Sequence, residues 1–356
     1  MKAYPFSIVY LIPVSILLGY LLGGIFTFLT PFFVFVIVPL LDLIIGSNTI
    51  NPEEENEEYL SEKKSFRILT WMGAPLTLGF IFWGGYIIQT NTLSLLELIG
   101  LTISIGINSG VLGINISHEL QHRVNKTFEP FLARIILMST LYLHWQIEHV
   151  TGHHRYVATP EDPATAKFNQ SYYSFWFQTV FGGLKSAWRF EQKRVKKRQY
   201  RIPILRNRIL QYSILQIGFI WVFWWLFGFF GLVFLLLQGL IAFSLLEIIN
   251  YIEHYGLLRI KKESGRYEPV KPHHSWNSSE RLTNWFLFNL QRHSDHHFKP
   301  GRRYQLLRHW EDAPQLPTGY AGMVLLALIP PLFKRIMNPM IQEWKIKYYP
   351  ELTIRS

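Results

Sequence analysis

Apolar and polar positions in this chain separate into long blocks instead of alternating. Apolar runs cover residues 6–26, 28–45, 68–88, 93–117, 209–229 and 231–251. A bilayer core is about 30 Å thick and a helix rises about 1.5 Å per residue, so roughly 20 apolar residues are needed to cross it. The runs therefore predict six transmembrane helices, the second short and carrying Pro31, Pro39 and Asp42. Residues 131–143 and 320–333 are too short to cross and predict interfacial or buried pieces. The first run is too long for the apolar part of a cleavable signal and leads straight into the next span. The expected class is an all-α integral membrane protein. It forms a single domain over 1–356, with segments 118–208 and 252–356 as a histidine-rich cap on one membrane face.

Charge gives that face a direction. If the spans alternate, all 35 Lys and Arg residues fall on one side, in residues 1–5, 46–67, 118–208 and 252–356. The opposing loops, near Thr27, 89–92 and 229–230, carry none. The positive-inside rule makes the populated face cytoplasmic, with both termini there. Hydrophobic residues at 49% agree with membrane burial, and the formal net charge is +11. The stretch 185–208 holds ten Lys or Arg against the single acid Glu191. Binding to anionic lipid head groups accounts for most of that charge. A docking surface for an acidic protein is the sharper reading. No nucleic-acid partner is expected, because a basic patch pressed to a bilayer presents no groove-reading element. The Glu53, Glu54, Glu55, Glu57, Glu58 cluster reads as a solvated loop, and Trp221, Trp224 and Trp225 as an interfacial belt.

Candidate chemistry is concentrated in histidine. Nine of the 13 histidines occur as His118-Glu-Leu-Gln-His122, Glu148-His149-Val-Thr-Gly-His153-His154, His254, and His293-Ser-Asp-His296-His297. These are too many for one ion, which takes roughly four to six ligands, and suit two. Residues four apart on a helix face the same way, which pairs His118 with His122, His149 with His153, and His293 with its C-terminal neighbours. His144, His273, His274 and His309 read as ordinary polar residues. His118 to His122 also matches the zinc-protease pattern H-E-x-x-H, which keeps an intramembrane zinc metalloprotease as a distant alternative. Cysteine is absent, so disulfides, thiolate chemistry and a fused rubredoxin-like domain are excluded. No Gly-rich nucleotide fingerprint occurs, so redox chemistry would need an external electron source.

Several segments together resemble the membrane alkane monooxygenases, within the membrane fatty acid desaturase and hydroxylase superfamily. They are Glu148 to Ala164, Asn250-Tyr-Ile-Glu-His-Tyr-Gly256, His274-Ser-Trp-Asn277, Leu290 to His297, and Ala313-Pro-Gln-Leu-Pro-Thr-Gly-Tyr320. The likeness runs from the third span to about Pro339, with Phe298-Lys299 as a departure beside the last box. It implies that His118, His122, His149, His153, His154, His254, His293, His296 and His297 hold two non-haem irons, with dioxygen as co-substrate. Glu253, Glu119, Asp162, Asp295 and Glu148 become candidates for orienting the imidazoles. The implied reaction is terminal hydroxylation of n-alkanes, with electrons from rubredoxin and its NADH-dependent reductase. Methyl hydroxylation of alkylaromatics and fatty acyl desaturation or hydroxylation stay open as enzyme alternatives. A transporter would need polar residues at mid-membrane depth, where the spans offer little beyond Asp42, Glu97 and Glu247.

Overall fold

The computed structural model describes residues 2–353, so the outermost ends of the expected domain lie outside the described residues. The chain is helical, with isolated bridges but no strand among the described residues. Among the described residues, five helices are long and apolar enough to cross a bilayer: α1 (Tyr4–Leu22), α2 (Gly24–Ile45), α3 (Lys64–Thr90), α4 (Leu95–Gln121) and α8 (Arg208–His254). Between α4 and α8 lie α5 (Phe128–Ser139), α6 (residues 145–156) and α7 (Tyr172–Lys197). After α8 come α9 (Arg281–Phe286), α10 (His293–Phe298), α11 (Tyr320–Ala327) and α12 (Pro330–Tyr348).

The two apolar runs over 209–251 are joined in α8. Its 47 residues would reach about 70 Å if straight, more than twice a bilayer core. Gly228 has φ 65° and ψ −163°, a conformation essentially restricted to glycine, and it folds the helix back on itself. The Phe223 and Phe234 rings consequently meet at 6.4 Å. Gln216 on one limb and Gln238 on the other donate to the carbonyls of Leu141 (3.2 Å) and Ser139 (3.0 Å).

The two short runs do not cross alone. In α5, Leu132, Ala133, Ile136 and Leu137 are buried, and its Ala133 carbonyl accepts from Ser117 of α4 at 3.2 Å. α11 and α12 have the length and apolarity of a span only jointly, and they are bent by 120° between them.

The stretch after residue 165 shows no clear hydrophobic period, yet α7 is a long helix. Its buried stripe is Phe175, Thr179, Gly183, Ala187, Glu191 and Val195, every fourth residue. Only two of these are large and apolar, which hides the period from a hydropathy reading. Glu191 anchors the end of the helix through Arg194 (2.8 Å) and Arg208 at the start of α8 (2.6 Å).

The three acids within the apolar runs act as clamps. Asp42 accepts from the backbone of Leu282 (2.9 Å) and Thr283 (3.1 Å), holding α9 beneath α2. Glu97 closes a capping box with Ser94 and accepts from Gly24 N at 2.8 Å. Glu247 accepts from Tyr142 Oη (2.7 Å), Thr179 Oγ1 (2.7 Å) and Asn250 Nδ2 (3.0 Å), tying α8 to α7. None forms a polar file of the kind a transporter needs.

Candidate metal centre

Four segments deliver the histidines to one place. The last turn of α4 is α-helical, so His118 and His122 share a face. His254 ends α8, and α10 presents His293 and His297 on one face and His296 on another. α6 behaves differently, because Glu148–His153 is wound as a π-helix. Its hydrogen bonds run from i to i+5, so residues five apart align and those four apart diverge.

Two groups result. His118, His122, His149, His154 and His296 form one, and His153, His254, His293 and His297 the other. Within each group the ligating nitrogens all lie within 4.8 Å of one another. The expectation that His149 and His153 point together is therefore corrected. The π turn sends His149 with His154 into the first group and His153 into the second.

The donor set fits metal. Nitrogens bound to one ion at about 2.1 Å lie roughly 3.0–3.4 Å apart in square or tetrahedral arrangements. The Nε2···Nε2 separations are 3.0 Å for His122–His149, 3.0 Å for His149–His154 and 3.1 Å for His154–His296. In the second group they are 3.2 Å for His254–His293, 3.2 Å for His153–His297 and 2.8 Å for His293–His297. The groups are neighbours, with the His154 and His297 rings 4.5 Å apart. Burial, reinforced by adjacent imidazoles, holds the pKa values of His122, His149, His154, His293, His296 and His297 well below the usual range. They stay neutral, the form that ligates.

The candidate acids divide by what they touch. Asp162 accepts from His153 Nδ1 at 2.9 Å and is itself held by Thr165 Oγ1 (2.6 Å) and Ala164 N (3.0 Å). Glu253 accepts from Tyr320 Oη at 2.7 Å, and its other oxygen lies 3.2 Å from His293 Nε2. That is the metal-facing nitrogen, so Glu253 borders the ligand sphere instead of orienting a ring from behind. Glu119 pairs with Arg123, which donates to Gly301 O at 2.6 Å and straps α4 to the loop after α10. Asp295 accepts from Arg302 (2.8 Å), Trp310 Nε1 (2.8 Å) and Arg308 N (3.1 Å) and bonds no imidazole. Glu148 lies under the π turn, and burial with Asp162 nearby pushes its pKa well up. His144, His273, His274 and His309 lie outside both groups. His274 bonds Tyr349 Oη at 2.8 Å, and His309 bonds Ser279 Oγ at 2.8 Å.

An apolar cavity ends on this centre. Ile12 of α1, Val34 and Val38 of α2, Val111 of α4, Ile249 of α8 and Val324 of α11 form its walls. His118, His149, His293 and Glu253 line it too, so the cavity faces both groups. Sequence reasoning missed Asn115, which also lines it. Its only signal is its place one helical turn before His118. The zinc-protease alternative loses its basis here, since His118 and His122 share a site with three further imidazoles.

Comparison with known proteins agrees with the site. The sequence profile of the family described as fatty acid desaturase matches residues 92–326. An alkane 1-monooxygenase 2 of Pseudomonas aeruginosa is 42% identical over 313 residues, covering 87% of this chain and 83% of the relative. An alkane 1-monooxygenase of Ectopseudomonas oleovorans is 43% identical over 307 residues, covering 86% and 76%. The hydroxylase component of a Pseudomonas putida xylene/toluene monooxygenase is 29% identical over 350 residues, covering 95% and 90%. With paired histidine groups at the inner end of an apolar cavity and relatives of this identity across most of its length, the chain belongs to the alkane 1-monooxygenase family.

Proposed function

We propose that this protein hydroxylates the terminal methyl group of medium- to long-chain n-alkanes, using two iron ions. His118, His122, His149, His154 and His296 would hold one ion. His153, His254, His293 and His297, with Glu253 at their edge, would hold the other. Bound there, the irons supply reductive activation of dioxygen, for the overall change R–CH3 + O2 + 2 e− + 2 H+ → R–CH2OH + H2O. The observation that carries the reading is the apolar cavity closing on both histidine groups.

The chain's own residues do the placing. An n-alkane has no polar handle, so its register depends on the shape of the walls and on exclusion of water. The cavity lies among α1, α2, α4, α8 and α11, where a chain dissolved in lipid is already concentrated. His118, His149 and His293 line the cavity, so a chain held in it would have its last carbon beside them. Asp162 fixes the proton of His153 on Nδ1 and leaves Nε2 free to ligate.

Electrons are assigned to a rubredoxin and its NADH-dependent reductase. The absence of cysteine in this chain supports an external carrier. So does a cleft bordered by Lys167, Lys185, Arg189, Lys193 and Lys345, with Asp162 among its lining residues. None of those cations has a carboxylate partner among the described residues, which suits an acidic carrier. Six crossings of a bacterial cytoplasmic membrane, with the metal centre on the cytoplasmic side, complete the reading.

The test uses protein in nanodiscs supplied with iron, rubredoxin, its reductase and NADH, and offered octane, dodecane and p-xylene in competition. About two irons per chain and oxygen-dependent 1-alkanol support the proposal. Preferred oxidation of the xylene methyl would shift it to the alkylaromatic reading that the 29% relative favours. Alkene products, or one zinc with no oxygen-dependent product, would overturn it.

A further inference from the structure

We propose that the last turn of α7 and its connector to α8, residues 196–207, sit in the bilayer surface and bind the phosphate groups of anionic phospholipids. This requires only that α8 crosses a membrane, and it is independent of what the metal centre oxidises.

The fold-back at Gly228 supplies a depth scale. Ser244 follows that turn by 16 residues and Arg208 precedes it by 20, so they stand about 24 Å and about 30 Å along their limbs. α7 is fastened at both levels. Near its start, Tyr172 Oη donates to the Ser244 carbonyl at 2.9 Å and Trp176 Nε1 to Ser244 Oγ at 3.0 Å. Near its end, Glu191 pairs with Arg208 at 2.6 Å. Tyr172 to Glu191 is about 28 Å of helix, whereas the two levels differ by only about 6 Å. α7 therefore runs nearly parallel to the membrane plane, where a core about 30 Å thick gives way to head groups.

The surface of α7 suits that depth. Tyr173, Phe177, Phe181 and Leu184 are exposed along one side of the helix, as in a helix lying in the interface. The connector continues the pattern. Ile202, Ile204 and Leu205 are 53%, 53% and 60% exposed, and Gln211 in the first turn of α8 donates to the Leu205 carbonyl at 2.8 Å. Around them stand Lys196, Lys197, Arg198, Arg201 and Arg206, all exposed and none with a carboxylate partner among the described residues. At a bilayer surface the aliphatic groups enter the acyl layer while the cations stay among the phosphates. An anionic head group is preferred because a zwitterionic one brings its own ammonium to the same place. α7 also backs the ligand turn, since a Cβ on Gly152 would lie 2.8 Å from Phe190 and 3.3 Å from Ser186. Anchoring α7 in the surface thus steadies the turn that carries His149, His153 and His154.

The chain has no cysteine, so Ile204→Cys in the full protein takes a single NBD fluorophore. It is placed in phosphatidylcholine nanodiscs with an equal small fraction of nitroxide-labelled phosphatidylglycerol or phosphatidylcholine, the nitroxide near the head of the acyl chain. Iodide serves as the aqueous quencher. The nitroxide lipids should quench and iodide should not. Phosphatidylglycerol should be effective at about a fivefold lower fraction, the scale for one cation at an anionic surface, and high salt should erase the difference. Arg198→Gln, Arg201→Gln and Arg206→Gln together should also erase it while lipid quenching persists.

Quenching by iodide and not by lipid overturns the placement in the bilayer. Relief of that iodide quenching by added rubredoxin would give the connector to an acidic protein instead. Equal quenching by the two lipids overturns the anionic site, as does a difference that survives high salt or the triple substitution. None of these outcomes touches the histidine groups, so the alkane reading stands or falls separately.

Discussion

Asp162→Asn separates an acid that supports a ligand from one that only braces the surroundings. The Asp162 and His153 side chains are 0% and 1% exposed, so their 2.9 Å hydrogen bond is shielded from solvent. Asn keeps the shape and can still accept from Nδ1, but it removes the charge that fixes the tautomer and raises ligand basicity. Loss of such a partner typically lowers metal affinity by about 10- to 100-fold, equivalent to about 1.4–2.7 kcal/mol. Because His153 belongs with His254, His293 and His297, the loss should fall on that group alone. An anaerobic iron titration against a competing chelator should show one site weakened and the five-histidine site unchanged. Asp295→Asn is the control. Asp295 lies between His293 and His296 in sequence, yet it bonds Arg302, Trp310 and Arg308. Its replacement should lower thermal stability while iron affinity holds. Equal iron affinity in Asp162→Asn and wild type would refute the reasoning, as would an equal loss in Asp295→Asn.

Other residues give independent checks. Gly152 sits inside the π turn, where a Cβ would come within 2.6 Å of Glu148 Oε1 and 2.8 Å of Phe190. Gly152→Ala should rotate His149 and His154 out of register and lower iron content, measured by elemental analysis, along with activity. Gly228→Ala forces a side chain onto φ 65° and should cost about 1–3 kcal/mol, read as a lower melting temperature in detergent. Burial raises the Glu191 pKa, but Arg194 and Arg208 outweigh it and hold the carboxyl down at about 2. A depressed carboxyl stabilises the fold above its ordinary pKa near 4.5, and that contribution is lost as pH falls from there toward 2. Glu191→Gln should therefore cost up to about 3 kcal/mol at pH 7, with a melting-temperature gap to wild type that narrows at acid pH. Reversing Lys185, Arg189 and Lys193 to Glu should raise the KM for rubredoxin several-fold and flatten its salt dependence, leaving the KM for alkane in place.

Local composition carries much of the architecture. Apolar runs of bilayer length mark the spanning helices wherever charge is excluded, because lipid offers backbone and ionised groups no partner. The two runs over 209–251 form two helical limbs that meet at the non-helical Gly228, close to the break their lengths predict, although the residue that makes the turn has no hydropathic signature. α7 escaped a hydropathy reading because Thr179, Gly183, Ala187 and Glu191 supply half-polar or small positions to a buried face. The histidines could be picked out because their number and clustering exceed what isolated polar residues need. The supporting acids could not be ranked the same way. Glu119 and Asp295 neighbour ligands in sequence yet serve Arg123 and Arg302, whereas Asp162, distant in sequence from its nearest ligands, holds His153.

The sequence by itself determined a helical chain with several apolar runs of membrane-spanning length and histidines in clusters that could hold metal. Those properties depend on residue type and on spacing within single segments. Tertiary structure decided which histidines share a site and which helices wall the cavity beside them. Each of these depends on how separate helices are rotated against one another. A single π turn at Glu148–His153 shows the reason: one change of winding moves His153 from the ligand group of His149 to that of His254, while the sequence of the turn reads the same for either winding.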